Sequence, residues 1–355
     1  MRKLIYIFIA LFANGFCDPL SVNTQIPDIK TPVFNACSQL EVNKGLQLYV
    51  KGNFLYWTAR EEGLYFAADT QVIAPPAQDV QLNTIIGSLK KAKFDWDSGF
   101  KIGAGYCTAF DCWNLFGNWT YFKSSANNTH NTSTSVLWGH TSRYLAQFAS
   151  YADAHWKMKI HIVDLELARS SWMGKSLSIR PFLGIEGTIL NQVFSVFYTI
   201  MPGADADTPI TNTIRPKSDF NGMGLRAGAD INYYLGNAWS IYADAAASLI
   251  YGKFDCRLKT WNTFINTQQK ILIANPKNTF YQSIPSIQLA LGIDWSDYLW
   301  SQNCLFGIQL GWEQQLWLGI NKMQHYIHKL DEGKLFQGNE NLTLQGLVLT
   351  AHLHF

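Results

Sequence analysis

Apolar and polar side chains alternate with a period of two along most of the chain beyond residue 45, and the last fifteen residues show this most regularly. One face of that terminal segment is apolar almost throughout, at Leu347, Leu349, Ala351, Leu353 and Phe355. Because successive side chains of a β-strand point in opposite directions, the pattern predicts a strand with an apolar environment on one side. A strand of a soluble β-sandwich would show the same alternation, so the interpretation depends on the rest of the chain.

The alternation recurs and predicts ten strands, at 46–57, 94–106, 112–123, 155–169, 177–197, 218–235, 238–254, 279–298, 303–318 and 341–355. Each is somewhat longer than the roughly 9–11 residues that cross a bilayer, so we expect the strands to project beyond it. Twelve strands are the alternative, if 64–73 and 144–151 also cross.

The connections between these segments are alternately long and short. Long connections occupy 61–93, 124–154, 198–217, 255–278 and 319–340, and the connections between them, such as 108–111, 170–175 and 236–237, are short. Transmembrane barrels have short periplasmic turns and long outer loops, whereas a soluble sandwich has no reason to keep this rhythm. The chain is therefore predicted to be all-β, an antiparallel transmembrane β-barrel of the bacterial outer membrane.

The start of the chain predicts export. A basic start, an apolar run at 4–12 and small residues at 13–15 indicate a signal peptide at 1–17, too short to span a membrane. Cys17 would suit a lipoprotein, but Phe16 fits poorly before a lipidated cysteine, so we expect cleavage near Cys17 without lipidation. Residues 18–45 are interpreted as a periplasmic tail or a plug segment, or equally as a disordered linker, and 46–355 as the barrel.

One predicted strand breaks phase. Trp156, Met158, Ile160 and Ile162 share a face, but the apolar series then moves to the opposite face from Val163 onward. One extra residue in a strand produces such a shift, which predicts a β-bulge near Ile162.

Composition favours a membrane barrel over a secreted β-protein, because only 15% of the residues are charged while 48% are hydrophobic and 13 are Trp. Beyond the predicted signal, the sequence has no apolar run long enough for a transmembrane helix. The net charge of +2 is too small to indicate nucleic acid or another acidic partner.

The faces opposite the apolar ones carry charges of both signs that would point into the lumen. They are Lys51, Asp95, Asp97, Lys101, Lys157, Lys159, His161, Asp164, Glu166, Arg180, Glu186, Arg226, Asp230, Asp244, Asp294 and Glu313. Barrels of roughly eight strands hold only side chains inside, whereas roughly 16–18 strands leave a channel. These residues are thus predicted either to fill a salt-bridged lumen or to line a narrow pore with a weak cation preference.

Two stretches resemble a known family. Residues 52–59, GNFLYWTA, followed by EGL at 62–64 and WDSGFKIGAGY at 96–106, are similar to the first two strands of the Legionella-type pore-forming outer-membrane proteins. The related major outer-membrane-protein-like porins of chlamydia-like bacteria show the same likeness. The resemblance covers about thirty residues and the terminal aromatic strand. It implies a pore-forming outer-membrane protein and supplies no catalytic residues to carry over.

We therefore predict a porin for passive diffusion of small hydrophilic solutes or ions, with a non-conducting structural or adhesive barrel as the alternative. A third hypothesis is an outer-membrane protease, since Asp95, Asp97, Asp153 and His155 lie near predicted outer strand ends and could surround a water. The resemblance already accounts for Asp95 and Asp97. We therefore expect no enzyme, cofactor or metal.

The remaining expectations concern cysteines and partners. Cys107 and Cys112 flank one tight turn and are the preferred disulfide in an oxidising periplasm, with free or intermolecular thiols as the alternative. Cross-linking to envelope proteins would suit the chlamydial resemblance. Phe355 is the expected signal for the barrel-assembly machinery. The surrounding partner is expected to be outer-membrane lipid. The sequence does not decide whether the chain forms a homo-oligomer.

Overall fold

The structure is a computed structural model that describes residues 34–37, 47–73, 82–108, 113–132, 134–138, 148–200, 209–299, 304–326 and 335–355. Ten antiparallel strands form a closed barrel. They are β1 (Leu48–Glu61), β2 (Trp96–Cys107), β3 (Trp113–His130), β4 (Tyr151–Arg169), β5 (Leu177–Ile200), β6 (Ile210–Gly236), β7 (Trp239–Phe264), β8 (Lys277–Leu299), β9 (Cys304–Asn321) and β10 (Glu340–His354). The predicted ten-stranded barrel is confirmed.

Each strand pairs with the next along the chain, and the first and last strands close the ring. In that closing pair, Tyr49 of β1 lies opposite His354 and Glu61 lies opposite Leu342 of β10. The terminal strand is therefore paired on both sides, which leaves the sheet without an open edge. In the described part of the chain, no helix has the length and apolar character to cross a membrane.

The two ends of the barrel differ in their connections. β6 and β7 are joined by a two-residue turn with φ of 52° at Asn237 and 68° at Ala238, the left-handed values of a type I′ hairpin. The short turns mark the periplasmic end and the long connections mark the outer end.

A separate outer sheet lies above the barrel. It consists of Leu82–Lys91, Tyr65–Ile73, Thr134–Val136 and Phe148–Ala149, in that order. Tyr65–Ile73 pairs inside this sheet and is not a strand of the barrel wall, so the twelve-strand alternative is wrong.

The other short strands pair locally. Lys93–Phe94 pairs with β3, Lys270–Ala274 pairs with β7, and Gln324–Tyr326 pairs with Leu335–Gln337. Phe34–Cys37 pairs with Ser171–Met173 in the turn between β4 and β5, at the periplasmic end. The predicted signal segment and the rest of 18–45 lie outside the described residues.

Six neighbouring strands, β3 to β8, are longer than predicted and contain between 18 and 27 residues. They extend into the predicted loops 198–217 and 255–278. The extensions were missed because their outward faces are polar, which resembles a loop in sequence.

The predicted bulge near Ile162 is wrong. β4 pairs with both neighbours without a register shift from Ala152 to Ala168. Ile162 and Asp164 share the buried inward face, while Lys159 and Val163 share the outward face. The strand keeps its phase, and its inward side chains change from apolar in the outer half of the barrel to charged in the periplasmic half.

Candidate functional site

The lumen of the periplasmic half is polar, and the structure places most of the predicted charges there. The polar lumen is formed by Lys51, Lys101, Asp164, Glu166, Arg180, Glu186, Arg226, Asp230, Asp244, Asp294 and Glu313. Seven carboxylates thus face four basic side chains. The outward side chains of the same region form an apolar band that includes Val163, Leu165, Leu183, Leu225, Leu289, Leu310 and Leu349, all at least 44% exposed, as lipid-facing residues are.

Arg226 of β6 is the centre of the largest ion-pair group. Its Nε donates to Glu166 Oε1 at 3.3 Å, its Nη1 to Glu186 Oε2 at 3.1 Å and its Nη2 to Gln288 Oε1 at 2.7 Å. The guanidinium is almost completely buried. A buried charge is tolerated when its hydrogen bonds are satisfied, and these three bonds use all three guanidinium nitrogens.

Arg180 of β5 extends this network towards the periplasm. Its Nη1 donates to Asp230 Oδ2 at 2.6 Å and to Glu166 Oε2 at 3.4 Å, while Nε and Nη2 donate to Asn114 Oδ1 at 3.0 and 2.8 Å. Glu166 therefore bridges two arginines on neighbouring strands.

A second ion pair joins β2 and β9, which are separated in the wall by β1 and β10. Lys101 Nζ of β2 donates to both carboxylate oxygens of Glu313 of β9, at 2.6 and 2.7 Å. Gln288 Nε2 donates to the same carboxylate at 3.0 Å while its Oε1 accepts from Arg226. The two groups therefore form one connected network that reaches from Lys101 and Glu313 to Arg180 and Asp230.

The periplasmic end of this network contains a small cavity of about 120 Å³, lined among others by Lys51, Asp230 and Asp244. This is room for a few water molecules. Nearby, His352 Nε2 lies 3.0 Å from Asp294 Oδ1.

The outer half of the lumen is mainly apolar. The apolar side chains that point inward there form an apolar plug, and those no more than 1% exposed include Leu55, Trp57, Phe122, Trp156, Phe194, Phe220, Phe254, Trp317 and Leu344. Aromatic rings contact each other, with centroids 5.4 Å apart for Trp57 and Phe122 and 4.6 Å apart for Phe220 and Phe254. Packed aromatic side chains exclude water, so the lumen is closed above the polar network.

Part of the first outer connection folds inward and completes the plug. In this inward segment, 64–68, the side chains of Leu64 and Phe66 are at most 2% exposed. Tyr198 Oη donates to the carbonyl oxygen of Phe66, and Trp138 Nε1 donates to the carbonyl oxygen of Tyr65 at 2.7 Å.

A buried acid lies at the outer end of β1, beyond the apolar band. Gln192 Nε2 donates to Glu61 Oε2 at 3.0 Å, while Glu61 Oε1 and Gln192 Oε1 have no hydrogen-bond partner among the residues that the structure describes. Burial raises the pKa of Glu61 well above its usual value, against the lowering effect of Gln192, and the neighbouring Glu340 and Glu62 raise it further.

Four of the predicted lumen residues lie elsewhere. Lys157, Lys159 and His161 are on the outward face of β4, because the strand keeps its phase where a bulge was predicted. Asp95 is exposed and lies between two strands at the outer end.

The four residues of the protease hypothesis do not come together. Asp97 lies opposite the inward Trp57 and accepts a hydrogen bond from the Ser125 backbone N–H at 3.3 Å. Asp153 and His155 lie on the outward face of β4, so the wall separates them from Asp97. Within the described ranges, no three His, Cys, Asp or Glu side chains are grouped to hold a metal ion.

The predictions on cysteines and the C-terminus remain predictions. Cys112 lies outside the described residues, so its pairing with Cys107 is untested, whereas Cys256 and Cys304 are buried free thiols. Phe355 is exposed at the periplasmic end, where its N–H donates to the carbonyl oxygen of Leu48 at 2.8 Å.

Sequence reasoning missed the apolar plug. The inward face could have been followed in strict steps of two from Glu186 through Leu190 and Phe194, which β5 places on one side. Assigning every apolar face to lipid hid this signal.

A closed barrel with an apolar outer band and short turns at one end defines an outer-membrane β-barrel protein, located in the bacterial outer membrane. The chain belongs to the family of the Legionella pneumophila major outer membrane protein precursor, whose family model matches residues 45–355. No curated protein matches the sequence.

Solved structures with a similar fold are outer-membrane barrels. The outer membrane protease OmpT from Escherichia coli is 10% identical, with a TM-score of 0.41 over 92% of this chain and 99% of that one. A Pseudomonas aeruginosa FadL homologue is 8% identical, with a TM-score of 0.25 over 90% and 96%. The Pseudomonas putida toluene transporter TodX is 8% identical, with a TM-score of 0.24 over 86% and 88%. Likeness at this level carries no argument about activity.

Proposed function

We propose that this protein is an outer-membrane barrel whose lumen is closed at rest, so that its role is structural or adhesive rather than that of a permanently open porin. The apolar plug carries this proposal. An aqueous pathway for hydrophilic solutes would have to pass side chains such as Trp57, Trp156 and Trp317, which are at most 1% exposed.

A second candidate is a porin that opens when the plug is displaced, and the polar lumen supports it. The excess of carboxylates below the plug would favour cations in such an open state. The inward segment is the candidate moving part, since it belongs to a connection rather than to a barrel strand.

We also propose that the chain is not an enzyme. The separation of Asp97 from Asp153 and His155 by the barrel wall supports this, because general-base catalysis needs these groups around one water.

Single-channel conductance of the refolded protein in a planar bilayer tests the proposal. The unaltered barrel should stay silent, whereas Trp57→Ala/Trp156→Ala, which removes two plug side chains, should give discrete steps with a cation preference. Trp119→Ala is the matched control, because Trp119 is 41% exposed on the outward face and its loss leaves the plug intact. Steady conductance of the unaltered barrel would contradict the proposal and favour a permanently open porin.

A further inference from the structure

The outward surface above the apolar band is strongly asymmetric in charge. On β3 to β8 it carries cations that include Lys123, Lys159, Lys217, Lys253, Arg257 and Lys277. The acids on the same surface, Asp153, Asp219 and Asp255, are fewer. On β1, β9 and β10, which the structure describes completely, Arg60 is the one charged side chain on the outward face.

A groove runs down the outer wall beneath these cations. Its floor is at Gly187 of β5, where an added Cβ would have open space with only the carbonyl oxygen of Val163 near it, at 3.9 Å. Val163, Ile189 and Met223 line its sides, and all three belong to the exposed apolar surface. The lower part of the groove is therefore continuous with the apolar band.

The upper edge of the groove is polar and cationic. Lys253 of β7 lies opposite Asn221 on one side and Tyr281 on the other. Tyr281 stacks with Tyr251, with ring centroids 5.9 Å apart. Lys253 forms no ion pair with any residue that the structure describes. The nearby Asp255 is already ion-paired with Arg257 and Lys277, so the ammonium group of Lys253 is left available to a ligand at the membrane surface.

We propose that this groove binds a phosphorylated lipid of the outer leaflet, with an acyl chain over Gly187 and a headgroup phosphate at Lys253 and Asn221. Lysine ammonium groups bind phosphate as point charges, and an amide donates hydrogen bonds to its oxygens. Clustered Lys and Arg next to a membrane attract anionic lipid in the same way. The apolar floor within the membrane selects a lipid over a free phosphate ion.

The test uses the complete barrel refolded in neutral detergent and titrated with diphosphoryl lipid A, with binding followed by Trp fluorescence. Lys253→Gln should weaken binding about fivefold, from the loss of one cation near the headgroups. Gly187→Leu should weaken it at least as much, because the new side chain fills the space of the acyl chain. Arg60→Gln, on the opposite arc, is the matched control and should bind like the unaltered chain.

Two further probes separate the contributions. With dephosphorylated lipid A, Lys253→Gln and the unaltered chain should bind with the same affinity, whereas Gly187→Leu should still bind more weakly. Inorganic phosphate should not compete at equal concentration. Each variant is checked for folding by gel electrophoresis, because a folded barrel changes its mobility when the sample is heated. Equal affinity of all three variants for diphosphoryl lipid A, or full competition by inorganic phosphate, would overturn the proposal.

Discussion

The two halves of the barrel share the same strands and the same alternation, but the apolar face of each strand points outward in the periplasmic half and inward in the outer half. In the periplasmic half charged side chains fill the lumen and apolar ones face lipid, whereas in the outer half aromatic side chains fill the lumen and lysines face water. β4 shows both halves in one unbroken strand, with Met158 and Asp164 inward and Lys157 and Leu165 outward. The strand period determines which residues share a face, and the medium on each side determines which face is apolar.

The largest effect is expected from breaking the ion-pair network. Arg226→Met leaves Glu166 and Glu186 buried without their cation, which should lower the free energy of unfolding by about 3–5 kcal/mol. Urea unfolding in detergent, followed by Trp fluorescence, measures this. Lys159→Met is the matched control, since its side chain is outward and its loss should change stability by less than about 0.5 kcal/mol. Equal losses for both variants would mean that the two faces are wrongly assigned.

Truncation of the plug tests the outer half of the comparison. Phe220→Ala should cost about 3 kcal/mol, because the surrounding rings cannot fill the cavity completely. Leu225→Ala on the same strand removes a side chain that is 68% exposed on the lipid side and should cost much less in the same unfolding experiment. A larger loss for Leu225→Ala would contradict a packed outer lumen.

These two halves were not equally predictable from sequence. The ten strands, the closing strand and the charged residues from Arg180 to Glu313 follow from the period of two and from the rhythm of the connections. The plug does not, because an aromatic side chain such as Phe194 fits lipid and a packed lumen equally well. The inward segment depends on tertiary contacts with Tyr198 and Trp138, which no local pattern encodes.

A smaller effect is expected from the buried acid at the outer end. The pKa of Glu61 is raised in the folded barrel, so the folded state holds a proton that the unfolded state releases above its usual pKa of 4.5. The free energy of unfolding should therefore fall as the pH rises from there towards the folded pKa. Glu61→Gln keeps the shape without the proton and should remove this slope when the melting temperature is compared at pH 5 and pH 9. An unchanged slope in this variant would show that Glu61 is already ionised when folded.

The most direct test of the exchange of faces is cysteine labelling on intact cells with a maleimide that cannot cross membranes. Lys157→Cys and Trp156→Cys are neighbours on β4 with opposite faces, and the unaltered chain gives the background of the native cysteines. We expect rapid labelling of Lys157→Cys and no labelling of Trp156→Cys above that background. Labelling of Trp156→Cys together with protection of Lys157→Cys would contradict this assignment of the faces and would mean that the lysines of β4 point into an open lumen.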